Sequence, residues 1–297
     1  MLEILQICPI CRASSFKPIL KCRDYSISKE EFEIVQCLTC GLRITNPRPD
    51  AQSIGKYYES EDYVSHSNTQ KGLINKLYHI AKKKAIKNKI SLIESLNPSG
   101  KALLDIGCGT GSFIGEIQKK GWTVLGVEPN EGARKIARKN YSIDVIPDNE
   151  IINQKVGSFN VITLWHVLEH VHNLRDRVEE IKKLLSTNGL AIIAVPNPES
   201  WDAKHYGKFW AAYDVPRHLY HFSPVQIKKL FSEVGFVHLK SFPMKMDSYY
   251  VSMLSEKYQS RSLGMIKAAI NGFLSNLKAK NDAEKFSSVI YVFQKIQ

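Results

Sequence analysis

Leu103-Leu104-Asp105-Ile106-Gly107-Cys108-Gly109-Thr110-Gly111 decides how this chain is read. An apolar run ends at an acidic residue, three glycines follow at alternate positions, and a helix-like segment, Ser112 to Lys120, begins at once. A buried strand that turns sharply into a helix needs this composition, because glycine lets the backbone bend and lets a ligand approach to contact distance. The helix N-terminus then offers N–H groups to an anionic group. The spacing is G-x-G-x-G, not the G-x-G-x-x-G of dinucleotide-binding folds. Alone, the loop also suits a glycine turn in any α/β protein.

The next segment, Trp122-Thr123-Val124-Leu125-Gly126-Val127, reads as a second buried strand and ends at Glu128. A carboxylate at that tip can accept from both hydroxyls of a ribose. Together these residues resemble motif I and the acidic motif of the class I S-adenosylmethionine-dependent methyltransferases. The resemblance implies that the Gly107–Gly111 loop, with Gly107, Cys108, Gly109 and Gly111, holds the methionine end of S-adenosylmethionine and that Glu128 holds its ribose. It implies that Asp105 orients the loop or the amino group. It also implies an adenine-contacting carboxylate after the third strand, where Asp148 is the nearest candidate, and a further cofactor contact at Leu164.

Outward from that core, the 297 residues suffice for one large domain and a small appendage. An apolar fraction of 43% and a charged fraction of 24% are ordinary for a globular chain. No apolar run reaches the length of a membrane span. The opening Met1-Leu2-Glu3-Ile4-Leu5-Gln6 lacks a signal-peptide pattern, so a cytoplasmic location is expected. The six cysteines then read as thiols or metal ligands rather than disulfides. The net charge of +12 is partly local: seven lysines lie from Lys71 to Lys89. They suit either a solvated helix face or a surface for a polyanion such as nucleic acid.

Cys8-Pro9-Ile10-Cys11 and Cys37-Leu38-Thr39-Cys40-Gly41 are two C-x-x-C turns. Two such turns complete a tetrahedral thiolate shell for zinc, and four protein ligands close it, which makes the ion structural. Residues 1–45 therefore read as a zinc ribbon with ligands Cys8, Cys11, Cys37 and Cys40; a redox pair is the other reading. Cys22 is either a substitute ligand or a spare thiol. Asn46-Pro47-Arg48-Pro49-Asp50 marks the exit. Residues 46–100 read as a helical linker that caps the cofactor, with a short helix over Ala51–Tyr58, a polar aromatic loop, and a long helix from Gly72 to Leu96.

From Lys101 strand and helix alternate, with strands near 101–106, 122–127, 142–146, 159–164 and 189–195 and helices near 112–120, 130–139 and 174–186. Asn188-Gly189 is expected to cap the last of these helices. That alternation predicts a Rossmann-like, doubly wound α/β sheet for residues 101–297. A helix at Pro224–Val234, a strand at Phe236–Ser241 and a last strand at Ser288–Phe293 complete seven. The methyltransferase resemblance, which covers about residues 70–297, implies that the last strand is antiparallel and inserts between the fifth and sixth. Residues 245–287 read as a mostly helical insertion.

Ligands in open α/β sheets bind at the carboxyl ends of the strands. After the fourth strand comes Trp165-His166-Val167-Leu168-Glu169-His170. A histidine can take the proton of a hydroxyl acceptor and a carboxylate can orient the imidazole; packing of a helix start is the other reading. This part of the chain is similar to the ubiquinone-biosynthesis O-methyltransferase branch. There and in small-RNA 2′-O-methyltransferases a related E-x-x-E-H cluster holds a divalent cation. Here His166 replaces the first glutamate, so the resemblance implies a second cation near His166, Glu169 and His170 with one ligand changed. After the fifth strand, a long aromatic segment from Val195 to Pro224 reads as either a lid over the acceptor or hydrophobic cover, with His218 a second candidate base or metal partner.

The expected function is methyl transfer from S-adenosylmethionine to an oxygen of a small molecule or sugar acceptor. An RNA methyltransferase that binds nucleic acid through the ribbon and basic face is the first alternative, and a non-catalytic binding module with a relic cofactor fold the second.

Overall fold

The computed structural model describes residues 1–58, 73–259 and 264–296, with side chains from residue 82 onward in the helix that opens the second stretch. The expected polar loop after Tyr58, Lys71 and the side chain of Lys76 lie outside the described residues.

Five short strands open the chain: β1 (Leu2–Glu3), β2 (Phe16–Arg23), β3 (Glu31–Cys37), β4 (Arg43–Thr45) and β5 (Arg48–Pro49). β2, β3 and β4 form an antiparallel meander, and β1 pairs with β5. A 3₁₀ turn, Ile54–Tyr57, stands where a short helix is expected. The helix α1 (Leu73–Ser95) then leads to the alternating part. There β6 (Ala102–Ile106), α2 (Ser112–Gln118), β7 (Thr123–Val127), α3 (Glu131–Tyr141), β8 (Val145–Ile146), β9 (Phe159–Trp165), α4 (Leu174–Leu184) and β10 (Leu185–Pro196) follow in turn. After them come α5 (Trp201–Tyr206), β11 (Tyr220–His221), α6 (Pro224–Glu233), β12 (Phe236–Pro243), α7 (Asp247–Tyr258), α8 (Gly264–Ala279) and β13 (Ser288–Lys295).

The large sheet has seven strands in the order β12-β13-β10-β9-β6-β7-β8. β10, β9, β6, β7 and β8 run parallel, and β13 is antiparallel to both β10 and β12. This is the class I methyltransferase sheet, with the last strand between the fifth and sixth. Central strands buried on both faces are mostly apolar, and Leu103, Leu104, Val161, Ile162 and Leu164 expose nothing. One face packs on Val178, Ile181, Leu230 and Phe231 of α4 and α6, the other on Ile93, Ile114 and Ala137 of α1, α2 and α3.

One boundary differs from expectation. α4 ends at Leu184, and Asn188-Gly189 lies inside β10 rather than capping the helix. The pairing of β10 with β9 shifts register between Leu185 and Leu190, and Asn188 takes φ +60° within that irregularity. A turn signal serves a bulge as well as a cap.

The N-terminal sheet is completed from far away. β11 pairs with β4, so residues 220–221 supply its fourth strand. Tyr206, Trp210 and Tyr213 are buried in one cluster with Cys22, Phe32, Ile34 and Tyr57. The aromatic segment after the fifth strand is therefore cover that joins the ribbon to the sheet, not an open lid.

Candidate functional site

The glycine loop is fixed at both ends. The N–H groups of Gly107 and Cys108 both donate to Val127 O, at 2.7 and 3.0 Å, which staples the loop to the tip of β7. Gly107 has φ +74° and Gly111 φ +76°. A Cβ on Gly107 would overlap Val167, and one on Gly111 would lie 2.6 Å from Ile143. Gly109, at φ +55°, differs: an added Cβ would meet nothing within 4 Å. Its backbone borders open space, which is where a ligand can lie against the chain. Glu128 stands at that space. Its Oε2 accepts from Gly109 N–H and its Oε1 from Asn130 N–H, both at 2.9 Å. Each oxygen keeps a second lone pair for a ribose hydroxyl. These residues fit S-adenosylmethionine as the family resemblance places it.

Asp105, below the loop, is 2% exposed and accepts from Thr163 Oγ1 at 2.5 Å. Burial raises its pKa to about 7, against the pull of the Thr163 hydrogen bond and of Lys89. Lys89 comes from α1. Its ammonium lies 4.2 Å from the centroid of the Trp165 ring and near that of Phe113. Burial lowers its pKa, while Asp105 and Asp247 favour the charged form. Lys89 thus leaves the basic run, whose Lys82, Lys83, Lys84 and Lys87 are exposed, and turns toward the loop.

At the tip of β9 a second cluster forms. Glu169 is 1% exposed, and neither of its oxygens accepts a hydrogen bond. His166 Nδ1 stands 3.4 Å and His218 Nε2 4.0 Å from its Oε1. The rings of His170 and His218 meet edge to face at 4.6 Å. His170 Nδ1 lies 3.0 Å from Arg217 O and 2.9 Å from the Tyr58 hydroxyl. A carbonyl only accepts, so Nδ1 carries the proton and Nε2 the lone pair. Ala212 O, 2.9 Å from His218 Nδ1, accepts the Nδ1 proton in the same way.

The charges follow from these contacts. Burial, reinforced by His218, lowers the His170 pKa to about 4, so its ring is neutral at pH 7. Burial would raise Glu169, but protonated His166 beside it lowers its pKa. His166 is the exception. Burial opposes its charge, but the hydrogen bond to Asp247 and the neighbouring Glu169 carboxylate raise it to about 10. Its Nε2 lies 3.0 Å from Asp247 Oδ2, and its backbone sits at φ +57°. A non-glycine residue in that region marks a position held by its surroundings.

Cys8, Cys11, Cys37 and Cys40 bring four Sγ atoms within 4.8 Å of one another. The closest pairs, Cys8–Cys40 and Cys11–Cys37, are 3.5 Å apart. Thiolates at zinc distance on a tetrahedron lie about 3.8 Å apart, so the set fits a zinc ion. Gly41 turns the second knuckle at φ +79°. Burial raises Cys40 to about 11, so a cation is needed to hold it as thiolate. Cys22 is buried apart from the four, and burial raises its thiol to about 12.

The structure thus gathers Asp105, Gly107, Cys108, Gly109, Gly111 and Glu128 at one loop, and His166, Glu169, His170 and His218 at the next. Asp148 stands apart, with both oxygens accepting from Arg177 Nη2 at 2.8 and 2.7 Å. Leu164 is fully buried in the core of the sheet. Reading along the chain missed Lys89, Thr163 and Asp247, which converge only through the fold. The three-residue spacing of Lys89 to Ile86 and Leu92 was the one available signal for an inward turn.

A sequence model of a family described as "Methyltransferase domain" matches residues 78–241, more than half of the chain. The ubiquinone biosynthesis O-methyltransferase of Acinetobacter baumannii is 27% identical over 113 residues, which are 35% of this chain and 48% of that one. The mitochondrial ubiquinone biosynthesis O-methyltransferase of Schizosaccharomyces pombe is 30% identical over 104 residues, 32% of this chain and 38% of that one. The chain thus spans about half or less of the length of these curated relatives. A solved SAM-dependent methyltransferase from Archaeoglobus fulgidus aligns with a TM-score of 0.51 at 19% identity, covering 71% of this chain and 94% of that one; this likeness shows the fold.

Proposed function

The chain belongs to the methyltransferase-domain family, and from that premise we propose that it moves a methyl group from S-adenosylmethionine to a hydroxyl oxygen of a small metabolite or sugar. The cofactor would supply an electrophilic methyl carbon on its sulfonium. The Gly107–Gly111 loop would seat its methionine end and Glu128 its ribose, and Asp105 would orient the loop or the amino group. The curated relatives, both named as O-methyltransferases, support an oxygen acceptor.

The observation that carries the oxygen reading is Glu169: a fully buried carboxylate 3.4 Å from His166 Nδ1, in one cluster with His170, whose Nε2 keeps its lone pair. A buried carboxylate held ionised favours positive charge beside it. An acceptor hydroxyl seated there gives up its proton to His170 Nε2, and Glu169 balances the resulting charge. Holding that oxygen in line with the methyl carbon is the larger contribution, because positioning replaces encounter.

A second reading rests on the same atoms. One ligand atom each from Glu169, His170 and His218 lie within 4.8 Å of one another, a donor set that suits a divalent cation. Bound there, such a cation would lower the pKa of the acceptor hydroxyl. The positive charge that Asp247 favours on His166 opposes it.

The test is transfer of a labelled methyl group into a cell extract split into small-molecule, glycan and RNA fractions, with and without added magnesium or manganese. Label in a small-molecule or glycan product as a methyl ether, with at least a hundredfold loss in His170→Ala at unchanged cofactor affinity, is expected (roughly the value of a positioned base). Label in RNA, or full turnover by His170→Ala, contradicts the proposal.

A further inference from the structure

α8 is built inside out. A surface helix ordinarily turns its large apolar side chains inward and its polar ones outward. Here the inward face is Ala268, Gly272, Ser275 and Ala279. The outward face carries Ile266, Ile270, Phe273 and Leu277, at 61, 53, 56 and 44% exposure. Close approach to α7 fixes this orientation. A Cβ on Gly272 would fall 2.7 Å from the Tyr249 ring, and Ser248 Oγ donates to Gly272 O at 3.1 Å. Rolling the helix would drive Phe273 into that contact. Small residues therefore hold the helix close and leave its apolar ridge uncovered among the described residues.

Ile266, Ile270, Phe273 and Leu277 follow helical spacing and form one ridge about 16 Å long. Lys267 and Lys278, both exposed, lie about a quarter turn round from it. α8 has no acidic residue, and exposed Lys245 and Lys257 belong to the neighbouring segment. Among the described residues none of these four lysines pairs with a carboxylate. An apolar ridge bordered by unpaired lysines matches a surface that is apolar beneath and anionic on top. We propose that α8 docks this protein, peripherally, on an anionic lipid surface, with Ile266, Ile270, Phe273 and Leu277 entering the headgroup boundary and Lys267 and Lys278 facing the phosphates. A second copy is the poorer occupant. Two such helices packed antiparallel bring Lys267 of one against Lys278 of the other, in a chain that already carries +12.

The experiment is flotation of the full chain with vesicles of phosphatidylcholine alone and of phosphatidylcholine with phosphatidylglycerol. The protein should float with the anionic vesicles and much less with the neutral ones, and salt should weaken the binding. Replacing Ile270→Ser with Phe273→Ser should lower the bound fraction about tenfold or more. The side chains are exposed, so the melting temperature should hold. Lys267→Glu with Lys278→Glu should lower binding and remove most of the salt dependence. Failure to float with anionic vesicles overturns the proposal, as does unchanged flotation of both double variants. A soluble dimer that Phe273→Ser splits, in a protein that does not float, overturns it in favour of the second copy.

Discussion

At the scale of single residues, the loop separates glycines that the fold needs from one that a ligand needs. A methyl group at Gly107 meets Val167 in a backbone conformation that costs an L residue about 1–2 kcal/mol. Gly107→Ala should therefore lower stability by a few kcal/mol, counting overpacking. Gly109→Ala meets no atom and should cost about 1 kcal/mol, yet abolish most cofactor affinity, because its methyl fills the space the ligand takes. Thermal melts and calorimetry on both variants check this; equal losses of affinity and stability in the two would contradict it. Asp105 adds a pH signature. With its pKa at about 7, it is mostly protonated at pH 6 and ionised at pH 8. A cationic amino group prefers the carboxylate, so affinity should rise across that interval, by about tenfold per unit well below pH 7. In Asp105→Asn the rise should vanish; an unchanged profile places the amino group elsewhere. The loop and Glu128 were legible in the sequence because they share one short stretch whose spacing is dictated by a ligand. Lys89 and Asp247 were not: one comes from a helix before the first strand of the sheet and the other from the insertion after the sixth, and only tertiary packing brings them to Trp165 and His166.

At the scale of elements, the N-terminal sheet and the cluster around His170 form one mechanical unit. β11 adds to β4, and Thr45 Oγ1 donates to His218 O at 2.7 Å. Arg217, the residue before His218, donates to Asp24 Oδ1 at 3.1 Å and to Tyr57 O at 3.1 Å. The Arg217 carbonyl in turn fixes the His170 ring. Loss of a zinc ion held by the four cysteines should therefore reach the cluster around His170. Cys37→Ser should lose one equivalent of zinc by elemental analysis and lower turnover more than cofactor affinity, because Gly109 and Glu128 stand on strands the ribbon does not pair with. A zinc-free variant with full turnover would separate the two units. The cysteine pairs announce themselves by spacing, but their sheet's fourth strand does not. Two residues, Tyr220 and His221, give no periodic signal, and their partners Ile44 and Arg43 lie 176 and 178 positions earlier. The aromatic residues around them are ambiguous for the same reason: a lid and a buried seam have one composition, and only burial tells them apart.

At the scale of the whole molecule, alternation of strand and helix was enough to predict a doubly wound sheet, and the place of its antiparallel last strand came from the methyltransferase resemblance. Where the surface meets its surroundings was harder to read. The basic run looked like one face, yet Lys89 turns inward, and an apolar ridge points outward from α8. The whole account depends on one pocket at the carboxyl ends of β6 and β7. Titration calorimetry with S-adenosylhomocysteine, run on the unaltered protein and on Glu128→Ala, tests it most directly. A single site is predicted, weakened roughly ten- to hundredfold in the variant, the range expected for hydrogen bonds to a charged group. No binding to the unaltered protein, or equal affinity in both, would contradict the account.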